Sequence, residues 1–169
     1  MFVIRSYAEE DARDIGILIA DTFRAFNLDY VPPDEQELLL GPFRHARSLE
    51  DAHSQAIKDV IHAPVVLVAE FDKRIVGVLR GSPGRLHSLF VDSDYHGHGI
   101  GRDLVERFEL ACRQQDVKKI TLASSLYAVP FYQRLGYKKS TGVRCGRCFD
   151  GVGFPTQPMQ KSLLPSSEL

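Results

Sequence analysis

Apolar positions along the chain change their spacing from segment to segment, and that spacing predicts the elements. Phe2–Tyr7 alternates like a short strand. From Asp11 to Phe26, residues Ile15, Leu18, Ile19, Thr22, Phe23 and Phe26 recur every three or four positions, the stripe of an amphipathic helix. Residues 27–49 lose the period. Pro32, Pro33, Gly41 and Pro42 interrupt it, and the acids Asp29, Asp34, Glu35 and Glu37 mix with Tyr30 and Phe43. A loop or broken helix is expected there, with a lid among its readings. A second helix is expected over Ser48–Ile61, with Ser48 as its cap.

Val65–Phe71 is rich in β-branched residues and reads as a buried strand, returned through an Asp72-Lys73 turn by Arg74–Arg80. Ser82-Pro83-Gly84 turns the chain again into a strand over Arg85–Val91. Gly99–Gln115 carries a strong helical stripe of Ile100, Leu104, Val105, Phe108, Ala111 and Cys112. A strand over Lys119–Ser124 and a short helix over Val129–Leu135, closed by Gly136, follow. Tyr137–Arg144 and Thr156–Leu163 read as two last strands, and the tail 165–169 is expected to fray. The order is β-α-α, three strands, α, β, α, β-β, a mixed α/β (α+β) class. With no repeat or linker, one domain over 1–169 is expected.

Composition narrows the function classes. The 169 residues carry 21 Lys plus Arg against 22 Asp plus Glu, a net charge of −1. Such a balance offers no broad basic field, so neither nucleic acid nor a membrane is expected as a partner. The start, Met1-Phe2-Val3-Ile4-Arg5, lacks the roughly 7–15 apolar residues of a secretory signal. The run Ala63–Ala69, broken by Pro64, falls far short of the roughly 20 residues that span a bilayer, and a cytoplasmic location is expected. The three cysteines, Cys112, Cys145 and Cys148, argue by their odd count against a disulfide framework. Cys145-Gly146-Arg147-Cys148 has the C-x-x-C spacing of a zinc or redox pair. No second pair or nearby histidine completes four ligands, so two reduced thiols at a hairpin are preferred over zinc or a regulated disulfide, and no metal is expected.

The most informative segment joins the end of a strand, Leu89-Phe90-Val91, to a glycine-rich turn, His96-Gly97-His98-Gly99-Ile100-Gly101-Arg102, that opens a helix. The first amides of a helix have no intrahelical partners, and the dipole adds positive potential there. Glycines let the backbone wrap an anion closely, which makes the segment a candidate phosphate cradle. The spacing is not the G-x-G-x-x-G of dinucleotide folds, and no Lys-Ser/Thr pair follows as in a P-loop.

Phe90-Val91 followed by His96-Gly97-His98-Gly99-Ile100-Gly101 resembles the acyl-coenzyme A motif of the GCN5-related N-acetyltransferase (GNAT) superfamily, in which a strand leads into (Gln/Arg)-x-x-Gly-x-(Gly/Ala). Ala128, Tyr132, Gly136 and Tyr137, in the stretch from Ser124 to Tyr137, match the family's strand–loop–helix segment. The sequence departs from the pattern at His96, where Gln or Arg is usual. It departs again at Ala123, where Asn is usual and Ser124 or Ser125 is the candidate substitute.

The resemblance implies a central twisted mixed sheet, flanked by helices and splayed between its fourth and fifth strands. It implies an acyltransferase that moves an acetyl group from acetyl-CoA to a primary amine through a ternary complex; the alternative is a non-catalytic acyl-CoA-binding sensor. The cofactor-binding candidates are Leu89, Phe90, Val91, His96, Gly97, His98, Gly99, Ile100, Gly101, Arg102, Ser124, Ser125, Tyr127, Ala128, Phe131 and Tyr132. A main-chain N–H near Val91 is the candidate donor to the thioester oxygen. Tyr132 is the candidate general acid; without the family frame it reads as a packing aromatic. His87 is the candidate base, placed by alternation on the face of Arg85, Leu89 and Val91, with Asp29, Glu35 or a water chain as alternatives. Its plain reading is a half-buried strand histidine. Lys118-Lys119 and Lys138-Lys139 read as solvated charges or as aids to a 3′-phosphate. Region 27–62 is expected to supply much of the pocket for a small-molecule or peptide amine, and the resemblance also admits a homodimer.

Overall fold

A sheet built mostly from antiparallel neighbours carries the helices on both faces in the computed structural model, which describes residues 1–164. The expected fraying of 165–169 lies outside the described residues. β1 (Val3–Ser6) pairs with β2 (Val65–Phe71), and β2 returns as β3 (Arg74–Ser82). Asp72 and Lys73 both adopt positive φ, 46° and 64°, the conformation a two-residue hairpin with the native twist requires. β4 (Arg85–Val91) follows through Pro83-Gly84. The sheet order is β1-β2-β3-β4-β5-β8-β6, with β7 also paired to β8. β4 and β5 (Lys119–Ser125) are parallel, joined across α4 (Ile100–Gln114).

Each sheet face buries one helical layer. On one side α1 (Ala12–Asn27) and α3 (Asp51–Ile61) bring Ile15, Ile19, Phe23, Ile57 and Ile61 against Val68 and Val78. On the other, α4 brings Ile100, Leu104, Val105 and Phe108 against Leu79, Leu86, Ile120 and Leu122. The short helix α5 (Val129–Arg134) joins that second layer through Tyr132. α3 starts at Asp51 rather than at the expected cap Ser48, whose Oγ instead accepts the Glu50 N–H at 3.1 Å in a local turn.

The irregular stretch 27–49 contains α2 (Pro33–Leu40), with proline at its first position, followed by a 3-10 turn over Gly41–His45. It is pinned rather than free. Leu28, Leu39, Leu40 and Phe43 are buried, and the turn between β7 (Arg144–Cys148) and β8 (Gly151–Ser162) docks on it. Phe149 covers Gly41 and Gly151 abuts Leu39 so closely that neither glycine has room for a Cβ. The expected single strand over Tyr137–Arg144 is in fact interrupted. β6 is only Lys138–Lys139, and pairing to β8 resumes at Arg144. Pro158 of β8 has no N–H to offer, and the Gln157 side chain bridges to the Thr141 carbonyl at 2.6 Å instead.

Arg80 of β3 ties the end of α3 to the sheet. Its Nε donates to the Ile61 carbonyl at 3.0 Å, its Nη2 to the Val60 carbonyl, and its Nη1 to Ser88 Oγ of β4 at 3.4 Å. Burial pulls its pKa below the ordinary arginine value, a sign of how far the guanidinium is withdrawn from water. These carbonyls end α3 and have no other donor in the helix. Arg80→Met is expected to cost about 2–3 kcal/mol, read as a lower midpoint in urea unfolding with unchanged slope.

Candidate functional site: the gap between β4 and β5

Parallel pairing between β4 and β5 is confined to Arg85 and Thr121. Beyond that point the strands part. On its other side β4 stays bound to β3, where the Asp92 N–H donates to the Val76 carbonyl at 2.9 Å. Antiparallel bonding alternates, so Phe90 and Ser88 also bond toward β3, and the backbone groups of Leu89 and Val91 face the gap. A cavity of about 630 Å³ occupies it, bordered by Leu89, Phe90 and Val91 on one side and by Ser125, Tyr127 and Ala128 on the other.

The glycine turn forms one end. Gly97 and Gly99 sit at φ 79° and 82°, where residues with a side chain are strained, and nothing stands within 4 Å of a Cβ placed on Gly97. Gly99 occupies the N-cap of α4 without a side chain to cap it, so the first-turn amides lack partners in the helix. Gly101 serves a different purpose. A Cβ there would stand 3.2 Å from the Phe131 ring, so its absence lets α5 lie against the start of α4. Arg102 and Arg134 border the same cavity, and among the described residues no Asp or Glu does.

His96 turns back onto β4. Its Nε2 lies 2.8 Å from the Val91 carbonyl, which can only accept, so Nε2 carries the proton. Its ring lies 5.0 Å from Phe26, which in turn lies 5.2 Å from Tyr127. Phe26 therefore bridges the turn after β4 and the loop after β5.

Of the residues singled out in the sequence, Leu89, Phe90, Val91, His96, Gly97, Gly99, Ile100, Gly101, Arg102, Ser125, Tyr127, Ala128 and Phe131 border the cavity. His98, Ser124, Tyr132 and His87 stand outside that border. His98 has Nδ1 3.0 Å from the His96 carbonyl oxygen, and Ser124 points into the α4 layer with its Oγ on the Ser125 carbonyl at 2.8 Å. Tyr132 lies directly behind Phe131, 5.0 Å between ring centroids, and 5.7 Å from Tyr137. It is 5% exposed, and burial pushes its phenol well above the usual tyrosine range.

The expected face of His87 is corrected. Arg80 pairs with Ser88 and Gly81 with Leu86, which leaves His87 as the extra residue of a β-bulge. Leu86 and Leu89 consequently share the α4 layer although three residues apart, and His87 turns instead toward Arg80 and Ser82. Its Nε2 is 3.1 Å from Ser82 Oγ, and burial together with the Arg80 and Arg85 charges lowers its pKa.

The sequence reading passed over Thr22, Phe26 and Asn27 of α1, which wall the cavity opposite α4. Thr22 and Phe26 lie on the apolar stripe of α1 and read there as core. Tyr95, Pro130, Arg134 and Leu135 were also missed, although the last three belong to the recognised strand–loop–helix segment. Thr22 and Phe26 also border a second cavity of about 620 Å³ that holds Asp14, Asp21, Asp92 and Asp94 with Arg47 and Arg74. Arg47 grips Asp21 through two bonds of 2.7–2.8 Å and holds its carboxyl below the usual range. The acids Asp29 and Glu35 border neither cavity.

Cys145 and Cys148 both lie on β7, three residues apart along extended backbone, a span of about 10 Å where a disulfide needs about 7 Å or less. Their pairing would require the strand to unpair. Among the described residues no group of three or more His, Cys, Asp and Glu is placed to hold a metal ion.

A family profile described as an acetyltransferase (GNAT) domain matches residues 32–163. Over 72 residues the chain is 32% identical to the chloroplastic GCN5-related N-acetyltransferase 2 of Arabidopsis thaliana, covering 40% of this chain and 28% of that relative's length. The fold is similar to a GCN5-related N-acetyltransferase structure from Rhodopseudomonas palustris, with a TM-score of 0.76, 21% identity and 95% of each chain covered. It is similar as well to the PaiA N-acetyltransferase of Thermoplasma acidophilum in complex with coenzyme A, with a TM-score of 0.70, 16% identity and 96% and 99% of the two chains covered.

The bulge carries a test of its own. A lowered pKa means that the folded state resists protonating His87 relative to the unfolded chain. The associated stability is present above the ordinary histidine value and is lost as pH falls through the folded midpoint. A two-dimensional NMR titration is expected to place the His87 midpoint below about 6.5. A midpoint at or above that value contradicts this placement beside Arg80 and Arg85.

Proposed function

The chain belongs to the GNAT acetyltransferase family, and from that premise we propose that it moves an acetyl group from acetyl-CoA to a primary amine by direct transfer within a ternary complex. Acyl transfer from acetyl-CoA is the coarse reading that family membership supports. The observation that carries the finer reading is the gap itself, an acid-free cavity between β4 and β5 that ends on the left-handed glycine turn and two arginines.

Each wall has a task in this reading. The amides from Gly97 to Gly101 hold the pyrophosphate, helped by the field of α4, and Arg102 and Arg134 serve the remaining phosphate. The free backbone edge at Leu89 and Val91 takes the pantetheine arm as a strand is added to a sheet. An N–H on that edge polarises the thioester carbonyl and steadies the negative charge that grows on its oxygen.

The amine must first lose a proton, because the ammonium has no lone pair. Its nitrogen then forms the new bond to the carbonyl carbon as the carbon–sulfur bond breaks; the departing thiolate takes a proton from Tyr132, and the proton shed by the new amide nitrogen returns through water to the Tyr132 phenolate. Burial keeps the Tyr132 phenol protonated but also makes it a weaker acid, so the role rests on the motif position that Tyr132 matches and not on its pKa. The base is assigned to water rather than to His87, which the bulge turns away from Leu89.

Mixing the protein with acetyl-CoA and a panel of amines (a polyamine, an aminoglycoside and a peptide N-terminus) is expected to release free thiol, followed with a thiol reagent. Tyr132→Phe is expected to lower kcat roughly a hundredfold with KM for both substrates little changed. Binding of acetyl-CoA without thiol release on any amine, and with no effect of Tyr132→Phe, would favour the sensor reading. Gly99→Val is expected to weaken coenzyme A binding about tenfold or more by calorimetry, since valine cannot hold φ near 82°.

A further inference from the structure

Arg80 and Arg85 stand on one face of the sheet, at the closed end of the gap. Their neighbours fix that face. Arg80 reaches the carbonyls that end α3, in the layer of α1, and its Nη1 lies 3.4 Å from Ser88 Oγ. Arg85 Nη1 lies 3.4 Å from Thr121 Oγ1, and Thr121 alternates with Ile120 and Leu122 of the α4 layer. His87 belongs to the same group. Burial holds its pKa down first, and the charges acting with burial are Arg80 and Arg85, with no carboxylate among them.

Neither arginine forms an ion pair with a carboxylate of the described residues. Arg80 spends three of its five N–H groups on neutral oxygens, two carbonyls and a hydroxyl. A half-buried guanidinium with N–H groups to spare and no counter-charge is prepared for an anion.

The direction of the gap selects the molecule that brings this anion. The glycine turn receives the cofactor phosphates at one end, the free edge runs from Val91 to Leu89, and the gap closes at Arg85 and Thr121. The thioester therefore comes to rest near Leu89, toward the closed end, with the phosphates at the other. At the closed end Leu86, Ile120 and Leu122, each at most 2% exposed, seal the α4 side. The opposite side is open, with Thr121 half-buried and Ala123 exposed. An acceptor that approaches from there passes Arg80 and Arg85.

We propose that Arg80 and Arg85 bind a carboxylate of the acceptor, which makes the acceptor an amine that also carries an acid group. The proposal rests on the acetyltransferase reading above. A free amino acid supplies this chemistry, and so does a peptide with an acidic residue beside its N-terminus. The two guanidinium groups hold the acid end and leave the amine to the thioester. Polycationic amines are repelled by the same pair. Arg80 and Arg85 are therefore specificity-determining residues.

The test uses the full chain and pairs of amines that differ in a carboxylate: phenylalanine against phenethylamine, lysine against cadaverine, and the Ala-Glu amide against the Ala-Gln amide. In at least one pair the member with the carboxylate is expected to have kcat/KM about tenfold higher or more. The first two pairs report a free amino acid and the third an acidic peptide. Arg85→Gln is expected to raise KM for the preferred member about tenfold, with KM for its counterpart and for acetyl-CoA within about twofold. Because Arg80 also holds α3, Arg85→Gln decides the matter if Arg80→Gln does not fold. A second readout needs no turnover. As acetate replaces chloride at constant ionic strength, the NMR midpoint of His87 is expected to rise in the wild-type protein and to stay in place in Arg85→Gln.

Equal kcat/KM within all three pairs overturns the proposal, as does preference for the member without the carboxylate. An Arg85→Gln effect of equal size on both members overturns it too, and so does a His87 midpoint that acetate leaves unmoved. Absence of thiol release with every amine overturns the acetyltransferase reading and the acceptor with it. The acetate response of His87 then still decides whether Arg80 and Arg85 hold a carboxylate.

Discussion

Beyond Arg85 and Thr121, β4 and β5 no longer pair, and a sheet that stops pairing in its interior must account for the backbone groups it leaves. One of them, the Val91 carbonyl, is taken by His96. The others around Leu89 face the cavity. Each neighbouring feature keeps the strands apart or closes the space between them. The bulge at His87 interrupts β4 just after the last shared pairing. The packing of Phe131 on Gly101 sets α5 against the start of α4, so both lips of the gap are fixed to one element. Phe26 then spans the turn after β4 and the loop after β5. The gap is thus built by packing on both sides of the sheet rather than left over by poor pairing.

The same constraint explains which parts of the site can be read in the sequence. The glycine turn is legible because positive φ and a capless helix start demand glycine at fixed positions, and Gly97 and Gly99 meet that demand. The strands Val65–Phe71 and Arg85–Val91 are legible because turn residues bound them sharply. His87 is not, since one inserted residue resets the alternation on which the choice of face depends, and nothing in the local composition marks the insertion. The α1 wall is hidden for another reason. Thr22 and Phe26 satisfy a helical apolar stripe whether they face a core or a cavity, and only the tertiary arrangement decides between them.

The interrupted strand after Tyr137 shows a third limit. Tyr137, Thr141 and Val143 favour extended backbone, but pairing breaks between Lys139 and Arg144 where the partner's Pro158 withholds a donor. The stretch 27–49 behaves similarly. Its prolines and Gly41 are correctly read as breaking a helix, yet what pins it is a hairpin more than a hundred residues later, through Cys148 Sγ on the Leu39 carbonyl at 3.4 Å and Phe149 on Gly41. Elements whose boundaries come from local backbone preference are visible in sequence. Elements bounded by a distant neighbour are not.

The net charge of −1 conceals a local segregation of sign. Among the described residues, the cavity between β4 and β5 has Arg102, Arg134 and His96 on its walls and no carboxylate, whereas the cavity beyond Thr22 and Phe26 gathers Asp14, Asp21, Asp92 and Asp94. Carboxylates on the first set of walls would repel a polyanionic cofactor within a Debye length of about 8 Å. They would also hold an incoming amine in its unreactive protonated form. Keeping acids out of that cavity serves both needs at once, and the α1 wall that separates the two cavities is what allows a nearly neutral chain to maintain the division.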